Sequence, residues 1–74
     1  TEREKYMDIN DIGKKIRQKR KALKLTQHQA AGLCNVGVRF LSELENGKAT
    51  AEIGLVMRVL NNLGMDMDIR ERRL

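Results

Sequence analysis

Between Leu25 and Lys48 the chain reads LTQHQAAGLCNVGVRFLSELENGK, and its start and stop signals leave room for two short helices joined by a tight turn. Thr26 and Gln29 have the spacing of a capping box, in which a hydroxyl and an amide satisfy two free backbone donors at a helix start. Ala30, Ala31, Leu33 and Cys34 then supply the inner side of that helix. Asn35 stands where it must stop, and asparagine tolerates the left-handed conformation such a stop uses. Gly37 serves as the N-cap of a second helix over Val38 to Glu45, with Leu41 and Leu44 pointing inward at i, i+3 spacing. Asn46-Gly47 closes it with a pair suited to positive φ. In a chain of 74 residues, nearly everything else must support this unit.

The flanks read as helices. Asn10 or Asp11 is placed to cap a helix running to about Leu23, with Ile9, Ile12, Ile16 and Leu23 near one face. Thr50 is placed to cap another that runs to Leu63 and ends at Gly64; its core stripe is Val56, Val59, Leu60 and Leu63, and Gly54 weakens its first turn. Residues 1–8 read as a polar N-terminal arm and residues 9–64 as one domain. In the tail, residues 65–74, Met65-Asp66-Met67-Asp68-Ile69-Arg70 alternates apolar and polar, a strand pattern. A lone strand cannot stand, and the chain offers no second one, so the expected partner is the same strand of a second subunit; the alternative is a frayed tail. With no proline and only Tyr6 and Phe40 as aromatics, the core is aliphatic, which suits an all-α unit better than a β-sandwich.

The formal net charge is +5, and its layout matters more than its size. From Ile12 to Ser42 there are eight basic residues (Lys14, Lys15, Arg17, Lys19, Arg20, Lys21, Lys24 and Arg39) and no acid. A block of one sign is what a polyanion-binding face looks like, although such a run taken alone reads as a solvated helix face. Cys34 is the only cysteine and His28 the only histidine, so neither an intrachain disulfide nor a metal cluster is expected, and no cofactor. Cys34 reads as a small buried hydrophobe, His28 as a surface residue and Phe40 as a packing residue. The chain has no nucleophile–base pair, carboxylate dyad or phosphate loop, so no enzymatic role is expected. Without a signal peptide or an apolar run long enough to cross a bilayer, a cytoplasmic location is expected.

The stretch Leu25 to Lys48, following a basic helix, resembles the Cro/C1-type (XRE family) helix-turn-helix of phage repressors. Leu-Thr-Gln, the small Ala31 and the Glu-Leu-Glu-Asn-Gly-Lys ending carry the likeness, which covers about residues 9 to 64. Within that family, VGVRFLSELENGKATAEIGLVMRVLNNLGMDM is most similar to HipB-like antitoxins. The resemblance implies a four- to five-helix λ-repressor-like domain, all-α, with a short C-terminal β-strand pairing across a dimer. It also implies a homodimeric repressor of its own toxin–antitoxin operon that binds a HipA-type serine/threonine kinase. One departure stands out: family members often begin the recognition helix with Ser, Thr or Gln, whereas this chain reads Gly37-Val38-Arg39-Phe40.

The candidate DNA-facing residues follow. Arg39, near the start of the third helix, is placed to bond bidentately to guanine O6 and N7, the alternative being a phosphate. Val38 is suited to a thymine methyl, Ser42 to a base or a phosphate, and Glu43 to cytosine N4 or, equally, to an ion pair with a neighbouring base. Gln27, at the start of the second helix, suits a phosphate; the resemblance adds that it braces the recognition helix. Gly37 allows close backbone approach, Lys48 is placed for phosphate, and Asn46 for phosphate or capping. Arg17 and Lys21 are weaker phosphate candidates. The resemblance implies that Arg20 and Glu45 form a structural salt bridge. Met57, Met65, Met67 and Ile69 are assigned to the dimer interface.

The expected function is therefore a sequence-specific repressor bound to a double-stranded operator with an inverted repeat, acting as the antitoxin of a HipBA-type pair. The alternatives are a phage-type or free-standing regulator of the same family, or a protein-interaction module without specific DNA binding. Membrane partners are not expected.

Overall fold

The computed structural model describes residues 7–71. Four helices follow one another: α1 (Ile9–Ala22), α2 (Gln27–Cys34), α3 (Val38–Glu45) and α4 (Ile53–Asn62). α3 packs on α1 and α2, and α2 packs in turn on α4. The core they enclose is aliphatic: Ile16 from α1, Ala30, Ala31 and Cys34 from α2, Leu41 and Leu44 from α3, and Val56, Val59 and Leu60 with the following Leu63. The small side chains of Ala30, Ala31 and Cys34 let α2 pack on both α3 and α4. Phe40 is half-buried against this core.

The helix starts differ in kind. α1 is capped by Asp8, not by Asn10 or Asp11. The Asp8 carboxylate accepts from the Asp11 N–H at 3.0 Å, and the Asp11 carboxylate accepts from the Asp8 N–H at 3.1 Å. Several residues here have capping side chains, and the reciprocal bond selects Asp8. The arm expected over 1–8 falls largely on residues 1–6, outside the described residues. α2 begins with the Thr26–Gln29 capping box, its bonds 3.0 and 2.8 Å long. α4 starts at Ile53 with Glu52 as N-cap and no side-chain cap bond, rather than at Thr50. A turn closed by Ala51 N–H to the Lys48 carbonyl carries the chain past Thr50 before the helix can start.

All four helices end in the same way, on a residue in the left-handed region: Lys24 (φ 61°), Asn35 (φ 57°), Gly47 (φ 83°) and Gly64 (φ 77°). After each, the next N–H folds back five residues, as in Leu25 to the Arg20 carbonyl and Lys48 to the Glu43 carbonyl. These closures satisfy terminal carbonyls and turn the chain sharply. Two leucines expected in the core are instead exposed. Leu23 sits where α1 gives way to the turn and is 45% exposed, and Leu33 falls off the Ala30–Ala31–Cys34 stripe and is 55% exposed.

Among the described residues there is no strand. The tail's first residue, Met65, instead completes the closure of α4 through a 2.8 Å bond from its N–H to the Leu60 carbonyl, and its side chain packs on the core. Beyond it the backbone has no partner strand among the described residues, and an alternating pattern cannot form a ladder alone.

Gly13 marks the closest approach of α1 to α3. A Cβ there would lie 2.3 Å from the Leu44 carbonyl oxygen and 2.9 Å from that of Glu45. Gly32, on exposed α2 surface, has nothing within 4 Å of the same position. Gly13→Ala must push the helices apart and is expected to lower stability by about 1–3 kcal/mol. Gly32→Ala should raise it by about 0.5–1 kcal/mol through helix propensity alone. Urea denaturation of the two variants checks both signs; equal effects would mean that the α1–α3 contact is not as close as described.

Candidate nucleic-acid interface

Three helix ends meet at one carboxylate. Glu45, in the last turn of α3, is buried, as is Arg20 near the end of α1. Arg20 Nε donates to Glu45 Oε2 at 2.6 Å and Nη2 to Oε1 at 2.9 Å, a two-pronged pair that suits a planar guanidinium. Arg20 Nη1 donates to the Leu25 carbonyl at 2.9 Å, reaching the segment that enters α2. Gln27 Nε2, from the first turn of α2, donates to Glu45 Oε1 at 3.1 Å. Burial pushes the Glu45 carboxyl up. The hydrogen bonds from Arg20 and Gln27, with the charges of Arg20 and Arg17, outweigh it and hold the group below the usual carboxylate range. The hydrogen bond to Glu45 raises the Arg20 guanidinium further above its already high value.

This junction fixes how α3 stands on the body of the protein. Its inward side carries Leu41, Leu44 and Glu45; its outward side carries Arg39, Ser42, Glu43 and Asn46, with Val38 at the edge between the two. The Arg39 side chain is 91% exposed, at the free end of the helix. Val38 is half-buried and packs against the core, so only part of it faces outward. Ser42 is half-buried and Asn46 is exposed at the C-cap. Gly37 is exposed, with open space where a Cβ would lie, so no contact among the described residues requires a glycine there.

Glu43 sits among cations. Lys48 Nζ lies 3.0 Å from its Oε1 and Arg39 Nε lies 3.4 Å from its Oε2. The Lys48 hydrogen bond, followed by the charges of Lys48 and Arg39, draws the Glu43 carboxyl below its ordinary value. The structure therefore brings Arg39, Glu43 and Lys48 together on one surface. Arg17 and Lys21 are exposed on α1. Gln27, half-buried, has its amide turned to Glu45.

The four residues assigned to a subunit interface are not gathered in one place. Met57 is exposed on α4, whereas Met65 and Met67 help to line a shallow cavity of about 170 Å³ with Ile12 and Leu60. Ile69 is 90% exposed and stands apart from that cavity.

Two residues that carried no signal in the sequence hold the turn between α2 and α3. Arg58 Nη1 donates to the Asn35 carbonyl at 3.0 Å, and Asn62 Nδ2 reaches the Leu33 carbonyl at 3.4 Å. They lie one turn apart on α4 and supply donors to carbonyls that the end of α2 leaves free. Nothing in their spacing distinguishes them from any solvated pair on a helix.

A family model described as helix-turn-helix matches residues 16–70 of the chain. The chain is also similar to y4mF, an uncharacterized HTH-type transcriptional regulator of Sinorhizobium fredii (strain NBRC 101917 / NGR234). The two are 49% identical over 59 residues, which is 80% of this chain and 78% of that protein. No helix of the described residues is long and apolar enough to cross a membrane.

Glu45→Ala leaves Arg20 buried without its partner and is expected to cost about 3–5 kcal/mol. That is a large part of the roughly 4–11 kcal/mol typical of a chain this long. Arg20→Met combined with Glu45→Leu should recover part of the loss, because no buried charge is then orphaned. Because the folded carboxyl titrates low, its stabilisation is complete above the unfolded glutamate pKa of about 4.3 and disappears as the pH falls through the folded value. Denaturation midpoints measured from pH 7 to pH 2 should fall less for Glu45→Gln than for the wild type across that acid range. Parallel curves would show that the pair contributes nothing to acid sensitivity.

Proposed function

The chain belongs to the XRE-type helix-turn-helix family of DNA-binding transcriptional regulators, and from that premise we propose that it is a dimeric, sequence-specific repressor of its own operon and the antitoxin of a HipBA-type pair. The observation that carries the DNA-binding part is the outward face of α3. It presents Arg39 almost fully to solvent, with Lys48 beside it, while Glu45 holds the inward face to α1 and α2. A helix so mounted enters the major groove by its N-terminal end, where Arg39 meets base edges. Ser42 lies one turn on, and Val38 offers its exposed part to a thymine methyl. Lys48, Asn46, Arg17, Lys21 and the N-terminal amides of α2 near Gln27 and the backbone at Gly37 are positioned for phosphates.

Two copies would set two such helices about 34 Å apart, one turn of DNA, on an inverted repeat. The tail supports dimer formation: Met67 and Ile69 are exposed apolar residues, and their backbone has no partner strand among the described residues. Pairing with the same segment of a second subunit supplies the missing strand and brings Met57 and Met65 toward the interface. The antitoxin reading rests on the likeness of residues 36–67 to HipB-like sequences. A kinase toxin of the HipA type is its partner, held on a surface away from α3.

A second reading is a protein-interaction module without specific DNA binding. It is favoured by Gly37 and by the partly buried Val38, which leave few polar side chains to reach bases.

Gel-shift titration on the DNA upstream of the gene separates the two readings. The wild type should bind with an affinity that falls steeply with salt, the logarithmic slope changing by about 0.9 for each phosphate contacted. Arg39→Ala should lose about 1–3 kcal/mol of discrimination between that DNA and a base-substituted duplex, whereas Lys48→Ala should weaken both about equally. If Arg39→Ala leaves base preference unchanged, the proposed reading head is wrong. Co-purification with a kinase encoded beside the gene tests the antitoxin role.

A further inference from the structure

The DNA-facing surface holds one feature that a simple phosphate-binding face would not have: a carboxylate between its two most prominent cations. Both oxygens of Glu43 are engaged, Oε1 with Lys48 Nζ at 3.0 Å and Oε2 with Arg39 Nε at 3.4 Å. The arrangement adds little to helix stability. In an i, i+4 pair the favourable order places the acid toward the N-terminus, and here the arginine comes first. Exposed pairs of this kind add little to folding in any case. Nor is the acid required by the packing, since Glu43 stands on the outward side of α3, opposite Leu41 and Leu44.

We propose that Glu43 is a specificity-determining residue: it holds Arg39 and Lys48 in a carboxylate clamp that suppresses binding to unrelated DNA and opens where a cytosine N4 amine replaces the lost cations. The inference rests on the operator-binding reading above. On an arbitrary duplex, Arg39 and Lys48 reach phosphates only by leaving Glu43, and the freed carboxylate then faces phosphates and acceptor edges, both negative or electron-rich. Each unrelated site is thereby penalised, which widens the ratio between right and wrong sites without tightening the right one. At the operator, cytosine N4–H donates to the carboxylate while the Arg39 guanidinium takes the O6 and N7 of a guanine. The surface thus reads a cytosine and a guanine together, and it gives up sequence-independent affinity to do so.

The test uses the full chain and two duplexes, one enriched by the wild type from a randomised pool and one unrelated, titrated across a series of salt concentrations. Glu43→Gln should bind the unrelated duplex about tenfold more tightly, with a salt slope steeper by about one to two as the two cations turn to phosphates. Its affinity for the enriched duplex should rise far less, so the specificity ratio falls. Glu52→Gln removes the same charge from the exposed N-cap of α4, where the side chain makes no cap bond and no ion pair with Arg39 or Lys48, and should leave that ratio unchanged. An equal gain on both duplexes for Glu43→Gln, or the same loss of ratio in Glu52→Gln, would reduce the effect to net charge and overturn the proposal. So would an unchanged affinity for the unrelated duplex. The premise is read separately in the wild type: if it enriches no sequence and binds neither duplex, the operator reading fails and the role of Glu43 falls with it.

Discussion

The buried pair of Arg20 and Glu45 is the joint on which the other contacts depend. Removing two charges from water is costly, and the interior tolerates them only when their bonding capacity is filled. Here Glu45 accepts from Arg20 twice and from Gln27 once, and Arg20 spends a further donor on the Leu25 carbonyl. The pair therefore ties the end of α1, the entrance to α2 and the end of α3 at a single point. Hydrophobic contacts among Ile16, Leu41 and Leu44 bring these helices together but have no direction. The two-pronged guanidinium geometry has one, and it sets the roll of α3 that turns Arg39 outward. Gly13 complements it, because only a residue without a Cβ lets α1 come close enough to the end of α3 for the guanidinium to reach.

The second constraint is the way the chain turns. A fold of short helices must end each one cleanly, and this chain uses the same left-handed closure four times. Two of the closures spend glycine, at Gly47 and Gly64, where the conformation is free of strain. The other two place Lys24 and Asn35 there, at some backbone cost. Asn35 is the more consequential, because it directs the chain from α2 into α3. Arg58 and Asn62 reach over from α4 to bond the carbonyls at that bend. α3 is thus held from both ends, by Glu45 at one and by the braced turn at the other.

Much of this was legible in the sequence. The capping box at Thr26 and Gln29, the stop at Asn35, the start at Gly37 and the glycine closures follow from local rules that act over three to five residues. The core stripe of α4 and the burial of Leu41, Leu44 and Cys34 follow from helical period. Where several residues could play one local part, the sequence did not choose: Asp8 rather than Asn10 or Asp11 caps α1, and Glu52 rather than Thr50 precedes α4. Leu23 and Leu33 satisfied the apolar pattern but lie at edges where each is only about half covered.

What the sequence determined by itself was the set of helices, the stops at Asn35, Gly47 and Gly64, and the basic block, because helix periodicity, caps and charge are properties of contiguous residues. What only the tertiary structure decided was which residues meet across that order. It placed Arg58 and Asn62 on the α2 carbonyls, brought Gly13 against the end of α3, and set Met65 on the core in place of the first residue of a strand. Each of these depends on the distance and angle between helices. Those are fixed by packing among side chains far apart in the chain, and no local pattern encodes them.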